Sequence, residues 1–194
     1  PFVYVNMVGG QDELVFDGSS FALNLGGKIA SQMPSFSEGL SLLEVRSQSG
    51  TCHLTGQISR PAAAEEDVWR ALTLGVRDYV EKNGFPGVIL GLSGGVDSAI
   101  VAVLAVDALG PERVRVVMMP SDYTADISLA DAEELADNLG LTLETIALRA
   151  GMDAFDSMLQ ASLEGTEMDV TEENIQSRLR GMILMALSNK FGNM

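Results

Sequence analysis

The 194-residue chain has little of the chemistry that builds disulfide frameworks or zinc centres, because it contains one cysteine and one histidine. A single cysteine excludes an internal disulfide and fits a reducing compartment, so we expect a cytoplasmic protein. Zinc sites generally need about four ligands, and Cys52 and His53 are the only soft ligands that the sequence offers. We therefore predict structural roles for both residues.

Long apolar runs and positive charge are also scarce. No apolar run reaches the roughly 18–20 residues that a membrane span requires, although 46% of the chain is hydrophobic and a core can form. The 12 basic side chains are outnumbered by 27 acidic ones, which gives a net charge of −15. Such a balance repels phosphate backbones, so we do not expect nucleic acid as partner. Because no apolar run is long enough to span a membrane, we do not expect a membrane as partner either. Any nucleotide must be held locally, by backbone N–H groups, a metal ion and a few arginines.

The pattern of the sequence changes near Pro61. Residues 1–60 alternate short apolar runs with turns, which predicts a β-rich region. The predicted strands lie near residues 2–5, 15–17, 20–24 and 41–45. Residues 61–194 alternate amphipathic helical segments with apolar runs, which predicts an α/β fold with a doubly wound parallel sheet.

In the α/β part, the apolar periodicity gives the positions of most elements. The predicted strands are 87–92, 113–119 and 141–148, and the predicted helices are 65–82, 97–109, 152–163 and 172–189. A further helix is expected to start at Ser128, which forms a capping-box pattern with Asp131. Ligands of such sheets bind at the carboxyl ends of the strands, here 91–98 and 120–126.

The most informative segment is glycine-rich and stands between an apolar run and a helical pattern. It consists of Gly91, Leu92, Ser93, Gly94, Gly95, Val96, Asp97 and Ser98. Such a turn aims backbone N–H groups and the positive end of a helix dipole at one point, and adjacent glycines allow a phosphate to approach closely. Asp97 would repel a bare phosphate but could bind a phosphate-bound Mg²⁺. The alternative is a simple glycine-rich connection between strand and helix.

Two other phosphate-binding motifs are excluded, since neither Gly-Lys-Ser/Thr nor Gly-x-Gly-x-x-Gly is present in this segment. The pattern Ser-Gly-Gly-x-Asp-Ser instead resembles the PP-loop of the ATP pyrophosphatase superfamily. Those enzymes cleave ATP between the α- and β-phosphates, form an adenylated intermediate and release pyrophosphate. The resemblance implies that residues 91–98, here called the PP-loop, hold the pyrophosphate part of ATP while Asp97 reaches Mg²⁺. The loop alone does not choose among the synthetases of the superfamily.

Four further stretches, in the same order, resemble the glutamine-dependent NAD synthetases. They are 71–85, 118–129, 173–181 and 184–190. The resemblance implies ATP, deamido-NAD, and glutamine or ammonia as substrates, Mg²⁺ as cofactor, and a homo-oligomer. Arg178 matches the Asn-x-Gln-x-Arg-x-Arg stretch that contacts the dinucleotide, and Asn174 and Arg180 are weaker candidates from the same stretch. Ser121 follows the second strand, where the adenosine end of ATP is expected.

Residues 6–20 resemble the closing strands of a nitrilase-like amidase domain of α-β-β-α architecture. The resemblance implies that residues 1–60 are the end of a glutaminase domain plus linker, and that 61–194 are the first part of an ATP-binding synthetase domain. The catalytic Glu, Lys and Cys of the glutaminase are expected upstream of Pro1. We therefore expect a fragment that turns over weakly or not at all.

The implied reaction is ATP-dependent amidation of deamido-NAD to NAD through an acyl-adenylate, with release of AMP and pyrophosphate. Two alternatives stay open. One is another adenylating amidotransferase with the same loop, such as a GMP synthetase, which lacks an upstream nitrilase-like piece. The other is a catalytically inactive fragment that binds nucleotide.

Overall fold

The computed structural model describes residues 1–48 and 50–194, which form two compact units, Pro1–Lys82 and Asn83–Met194. The elements of the first unit are β1 (Phe2–Tyr4), β2 (Val8–Gln11), β3 (Leu14–Asp17), β4 (Phe21–Leu23), β5 (Ile29–Gln32), β6 (Glu44–Gln48), β7 (Thr51–Thr55) and α1 (Ala64–Lys82). Strands β1, β4 and β5 form an antiparallel sheet in the order β1–β4–β5, while β2–β3 and β6–β7 form separate antiparallel pairs.

The β-rich character predicted for the start of the chain is confirmed, but β2, β5 and β7 lie outside the predicted strands and one predicted strand is shifted. The strand predicted at 41–45 lies at 44–48. Its pairing with β7 sets this register, because Val45 lies opposite Leu54 and Glu44 opposite Thr55. Leu54 belongs to the buried core of this unit.

Helix α1 packs on the β2–β3 hairpin within the first unit. The approach is close: a Cβ on Gly10 would lie 3.3 Å from the Cα of Gly75. The Gly10 N–H donates to Oδ2 of Asp78 at 2.8 Å, and Lys82 donates to the Gly10 carbonyl oxygen while pairing with Asp78 at 3.3 Å. Burial raises the pKa of Asp78, but the Gly10 hydrogen bond and the Lys82 and Arg77 charges outweigh burial and hold this pKa below its ordinary value.

The second unit alternates strands and helices around a parallel sheet. Its elements are β8 (Val88–Gly91), α2 (Val96–Leu109), β9 (Val114–Met118), α3 (Asp126–Leu139), β10 (Leu143–Thr145), α4 (Arg149–Leu159) and α5 (Val170–Phe191). The strands lie in the order β10–β9–β8 and both pairings are parallel. The α/β class and the parallel sheet predicted for this part of the chain are therefore confirmed.

The sheet of the second unit is covered on both faces. Val116 and Val117 are neighbours in β9, so their side chains point to opposite faces, and both are 0% exposed. The Val117 face packs against α4 and α5 through a cluster that includes Leu148 and Leu179. Helices α2 and α3 contact β9 and each other. From α5, Leu179 is 9% exposed and belongs to this core, and the partly buried Ile183 and Leu187 pack against it.

The predicted start of α3 at Ser128 is wrong. The helix begins at Asp126 with Ala125 as N-cap, and the Ser128 N–H donates to the Ala125 carbonyl at 2.9 Å. Ser128 therefore lies inside the first turn, where its hydroxyl cannot cap the helix. The carboxylate of Asp126 stands at the positive end of the helix dipole and favours this earlier start.

Two further boundaries differ for identifiable reasons. Strand β10 is shorter than the predicted 141–148, because the Leu141 N–H donates to Ala136 and completes the end of α3. Helix α4 starts at Arg149 and ends at Leu159, earlier than predicted at both ends. The chain then turns, with the Ser162 N–H bonded to the Leu159 carbonyl. Within residues 1–48 and 50–194, no helix combines the length and apolarity needed to cross a membrane.

Candidate functional site

The PP-loop begins as an extension of the sheet. The Leu92 N–H donates to the Val117 carbonyl at 2.9 Å, one residue beyond the end of β8. The Leu92 side chain is 2% exposed, which anchors the loop in the core. The chain then leaves the sheet at its carboxyl edge and enters α2 at Val96. The predicted strand–turn–helix context of the loop is confirmed.

Gly94 brings the loop against the first turn of α3. Its φ is +77°, a left-handed conformation that favours glycine. A Cβ at this position would lie 2.2 Å from the Ser128 carbonyl oxygen and 2.6 Å from the Ser128 Cα. Backbone therefore meets backbone here, and no residue larger than glycine fits without displacing the loop or the helix.

The two serines of the loop hold its shape. The Ser98 hydroxyl donates to the Gly95 carbonyl at 2.9 Å and accepts the Ser93 N–H at 3.2 Å. Since Ser98 has one hydroxyl proton, the Ser93 hydroxyl is the donor in the 2.9 Å contact between the two side chains. The Gly95 N–H in turn donates to the Ser93 hydroxyl at 3.3 Å. Two loop amides and both hydroxyls are thus engaged within the loop.

The amides that open α2 remain for a ligand. The first N–H groups of a helix have no acceptor one turn earlier within that helix. Here they belong to Val96, Asp97 and Ser98, and the N-cap Gly95 provides no side chain to bond them. Val96 is 78% exposed, so the helix start is open to solvent. Three amides and the positive helix end form an anion site at the carboxyl edge of the sheet.

Asp97 stands alone beside this anion site. Its side chain is exposed, and it makes no ion pair or side-chain hydrogen bond with the part of the chain that the structure describes. Among those residues there is no group of three or more His, Cys, Asp or Glu that could hold a metal ion. Mg²⁺ commonly binds one or two carboxylates together with substrate phosphates. The donor set therefore fits a Mg²⁺ ion that arrives with a nucleotide.

Ser121 lies in a tight turn after β9. Its N–H donates to the Thr124 hydroxyl at 2.9 Å, and the Thr124 N–H donates back to the Ser121 carbonyl at 3.0 Å. The turn lines a cleft of about 310 Å³, which α4 and the beginning of α5 complete. Acidic side chains dominate the charge of this cleft: Asp122, Asp153, Asp156 and Glu172. We call it the acidic cleft.

Arg149 is the cation of the acidic cleft. Its guanidinium pairs with Asp122 of the turn and donates to Asp153 of α4 at 2.9 Å. The charges of Asp122 and Asp153 raise the pKa of Arg149 above its ordinary value. A guanidinium can serve two carboxylates at once because its five donors form a planar fork.

The three candidates on α5 differ in position. Arg180 donates from Nε to the Met119 carbonyl at 3.3 Å, so it stands at the end of β9. Arg178 and Asn174 are exposed and lie one turn apart on another face of the helix. A hydrogen bond thus joins Arg180 to the carboxyl edge of the sheet. Among the residues that the structure describes, Arg178 and Asn174 make no such bond to that edge. Their roles toward a substrate stay predictions.

Sequence reasoning missed three contributors to the site. The Ser121–Thr124 turn has a visible Ser-x-x-Thr spacing, which is typical of a side chain closing a short turn. The roles of the Ser128 backbone and of Arg149 depend on contacts between distant segments. No local pattern in the sequence indicates them.

Comparison with known proteins defines the family. A family model described as NAD synthase matches residues 68–194. The chain belongs to the NAD synthase family. It is 50% identical to the glutamine-dependent NAD(+) synthetase of Rhodobacter capsulatus, over 100% of this chain and 35% of that protein. The corresponding Synechocystis protein is 49% identical, again over 100% and 35%. The resemblance inferred from the sequence is confirmed.

Solved structures agree with the NAD synthase assignment. Glutamine-dependent NAD+ synthetase from Acinetobacter baumannii, solved in complex with ADP, has a TM-score of 0.91 and 47% identity, covering 98% of this chain and 36% of its own. NMN synthetase from Francisella tularensis has a TM-score of 0.61 and 29% identity, covering 68% and 53%. The chain thus spans about a third of the length of the glutamine-dependent relatives that it matches.

Proposed function

We propose that this chain is the ATP-binding part of a glutamine-dependent NAD synthetase, which amidates deamido-NAD to NAD. The observation that carries the proposal is the open start of α2 in the PP-loop. Its Val96, Asp97 and Ser98 amides form an anion site at the carboxyl edge of a parallel sheet. A loop of this geometry suits the pyrophosphate part of ATP.

The proposed reaction has two steps. The carboxylate of deamido-NAD attacks the α-phosphorus of ATP, the bond between that phosphorus and the bridging oxygen breaks, and pyrophosphate leaves. Ammonia then attacks the acyl carbon of the resulting adenylate, AMP leaves with the electron pair, and one proton is lost as the amide forms. The main demand on the protein in the first step is to stabilise the charge that develops on pyrophosphate.

The residues of this chain divide that work. Within the PP-loop, residues 91–98, the free amides of Val96, Asp97 and Ser98 would bind the departing pyrophosphate. Asp97 would hold Mg²⁺, whose charge would offset that of the pyrophosphate. Ser121 rests against the adenosine end of ATP. Arg178 contacts deamido-NAD, with Asn174 and Arg180 as further contacts. Arg180 has the strongest structural support of the three, because its bond to Met119 keeps it at the reacting edge of the sheet.

The same proposal covers the organisation of the whole protein. Residues 1–60 are the end of a nitrilase-like glutaminase domain that supplies ammonia from glutamine, and residues 61–194 begin a doubly wound synthetase domain. The likeness to the Acinetobacter baumannii enzyme covers 98% of the chain, which supports counting the β-rich start as part of the same enzyme. Helix α1, which the proposal counts with the synthetase domain, belongs to the first compact unit. The full enzyme is expected to be a cytoplasmic homo-oligomer.

Ligand-induced stabilisation of the 194-residue chain tests the proposal. A ligand that binds the folded state at 100 times its Kd stabilises by about 2.7 kcal/mol, which a thermal shift detects. We expect Mg²⁺–ATP and deamido-NAD to raise the Tm. Xanthosine monophosphate, the type of substrate that a GMP synthetase uses, should not raise the Tm. Nicotinic acid mononucleotide is tested as well, to distinguish binding of the dinucleotide from binding of the mononucleotide. No shift with Mg²⁺–ATP would refute the proposed function.

A turnover assay then separates binding from catalysis. We expect little or no NAD from the chain supplied with ATP, Mg²⁺, deamido-NAD and ammonium, because it spans about a third of its relatives. Rapid NAD formation would contradict the expectation that further parts of the enzyme are required.

A further inference from the structure

The segment 121–124 after β9 is held from two sides, with Asp122 and Tyr123 exposed and Ser121 and Thr124 half-buried. Its internal turn, between Ser121 and Thr124, fixes its own shape. Pro120, just before it, is tied by its carbonyl to the Leu148 N–H at 2.9 Å. Tyr123 is 77% exposed and offers no packing against the core. The orientation of the turn relative to the sheet therefore depends on polar contacts.

The ion pair between Asp122 and Arg149 supplies such a contact across 27 residues of sequence. Arg149 is the first residue of α4, so it is mounted on a regular helix. Asp153, one turn further along α4, holds the guanidinium from the other side. The side chain is thereby oriented before it meets the turn, which lowers the entropy lost in forming the pair.

We propose that Arg149 is a positioning residue for the nucleotide site: it holds segment 121–124 in the orientation that presents Ser121 to the adenosine end of ATP. The inference rests on the proposed function, in which Ser121 contacts ATP. Arg149 itself acts through Asp122 and need not touch the ligand.

The exposure of the three side chains limits the size of the effect. Arg149 is 64% exposed, and Asp122 and Asp153 are each 58% exposed. Exposed ion pairs change an equilibrium by less than about fivefold, too little to decide whether the unit folds. They are sufficient to change the fraction of molecules whose turn is in the binding orientation, and the apparent Kd scales inversely with that fraction.

The test compares Arg149→Ala and Arg149→Lys with the unaltered chain. Titration calorimetry with Mg²⁺–ATP should show a Kd about three- to fivefold higher for the alanine variant and a smaller increase for lysine, which keeps the charge but not the fork. Amide hydrogen exchange should be faster at Leu148 in the alanine variant, because its N–H bonds to the Pro120 carbonyl and so reports on how the turn is held against α4. The Tm should stay within about 2 °C, since surface substitutions rarely change stability strongly.

Arg70→Ala is the matched control. It breaks another exposed arginine pair, with Glu66 on α1, and should change neither the Kd nor the exchange at Leu148. An unchanged Kd for Arg149→Ala, or a raised Kd without faster exchange at Leu148, would overturn the inference. A Kd increase that merely parallels a large fall in Tm would also overturn it, in favour of a structural role. Failure of the unaltered chain to bind Mg²⁺–ATP would instead refute the proposed function on which the inference rests.

Discussion

In the first unit the Gly10 N–H donates to the carboxylate of Asp78, whereas in the second unit the amides that open α2 are left to solvent beside the carboxylate of Asp97. Asp78 is 15% exposed and surrounded by donors, while Asp97 is exposed and has no partner within the described residues. The same chemical groups thus stabilise the fold in one place and are left available to a ligand in the other. The difference lies in whether each amide is already satisfied.

Gly94→Ala is the substitution from which we expect the largest effect, because it disturbs the loop that leaves the α2 amides open. The added methyl group would overlap the Ser128 carbonyl, and the left-handed φ adds strain, so we expect a loss of about 2–5 kcal/mol in unfolding free energy. Urea unfolding measures the loss, and Mg²⁺–ATP binding should disappear with the loop geometry.

Gly140→Ala is the control for backbone strain alone. Gly140 has φ +68° but open space around it, so it should lose only about 1–2 kcal/mol. Equal losses at both positions would show that the close contact between the PP-loop and α3 adds nothing to the destabilisation caused by Gly94→Ala.

Asp78→Asn tests the satisfied side of the comparison. The amide oxygen of asparagine can still accept from the Gly10 N–H, but the negative charge that Lys82 and Arg77 stabilise is lost, so we expect a loss of about 1–3 kcal/mol at pH 7. Glu66→Gln, which removes one carboxylate from an exposed pair on the same helix, should lose less than about 1 kcal/mol. Similar losses for the two variants would contradict a special importance of the Asp78 charge.

The pH dependence of stability tests the contribution of the Asp78 carboxylate in a second way. The folded pKa of Asp78 lies below the ordinary value of 3.8, so its contribution is complete above that value and is lost as the pH falls through the folded pKa. The difference in unfolding free energy between the unaltered chain and Asp78→Asn should therefore be constant from about pH 5 to about pH 7. It should become smaller below about pH 4. A difference in unfolding free energy that becomes larger in acid would contradict a lowered pKa of Asp78 in the folded state.

Asp97→Asn should have the smallest effect on folding and a clear one on binding. Removing an exposed first-turn acid changes stability by less than about 1 kcal/mol. We expect the Mg²⁺-dependent part of ATP affinity to fall about tenfold, equivalent to about 1.4 kcal/mol. The control is Asp126→Asn, which removes the first-turn acid of α3. Calorimetry with and without Mg²⁺ measures the effect, and an equal loss in both conditions would argue against a metal ligand.

The sequence predicted what depends on neighbouring residues. The PP-loop, its strand and its helix are specified by the run from Val88 to Leu109, where apolar periodicity and two adjacent glycines act locally. The sequence predicts the wrong start for α3, because Ser128 and Asp131 match the capping-box pattern. The helix begins at Asp126, directly after its N-cap Ala125. The sequence pattern alone does not decide between these two helix starts.

Contacts between distant segments could not be predicted from local patterns. Asp78 lies 68 residues from Gly10, and Arg149 lies 27 residues from Asp122. The hydrogen bonds between Ser93 and Ser98 span five residues, but they compete with the alternative of both hydroxyls facing a phosphate. Only the three-dimensional arrangement decides that the serines bond to each other.

The contact between Gly94 and Ser128 has an asymmetric consequence for sequence variation. Position 94 contributes a hydrogen atom where any side chain would collide, whereas position 128 contributes only main-chain atoms that every amino acid carries. A library covering all residue types at both sites should therefore retain glycine at 94 and accept broad diversity at 128. Two positions that touch each other can thus differ completely in how freely they mutate.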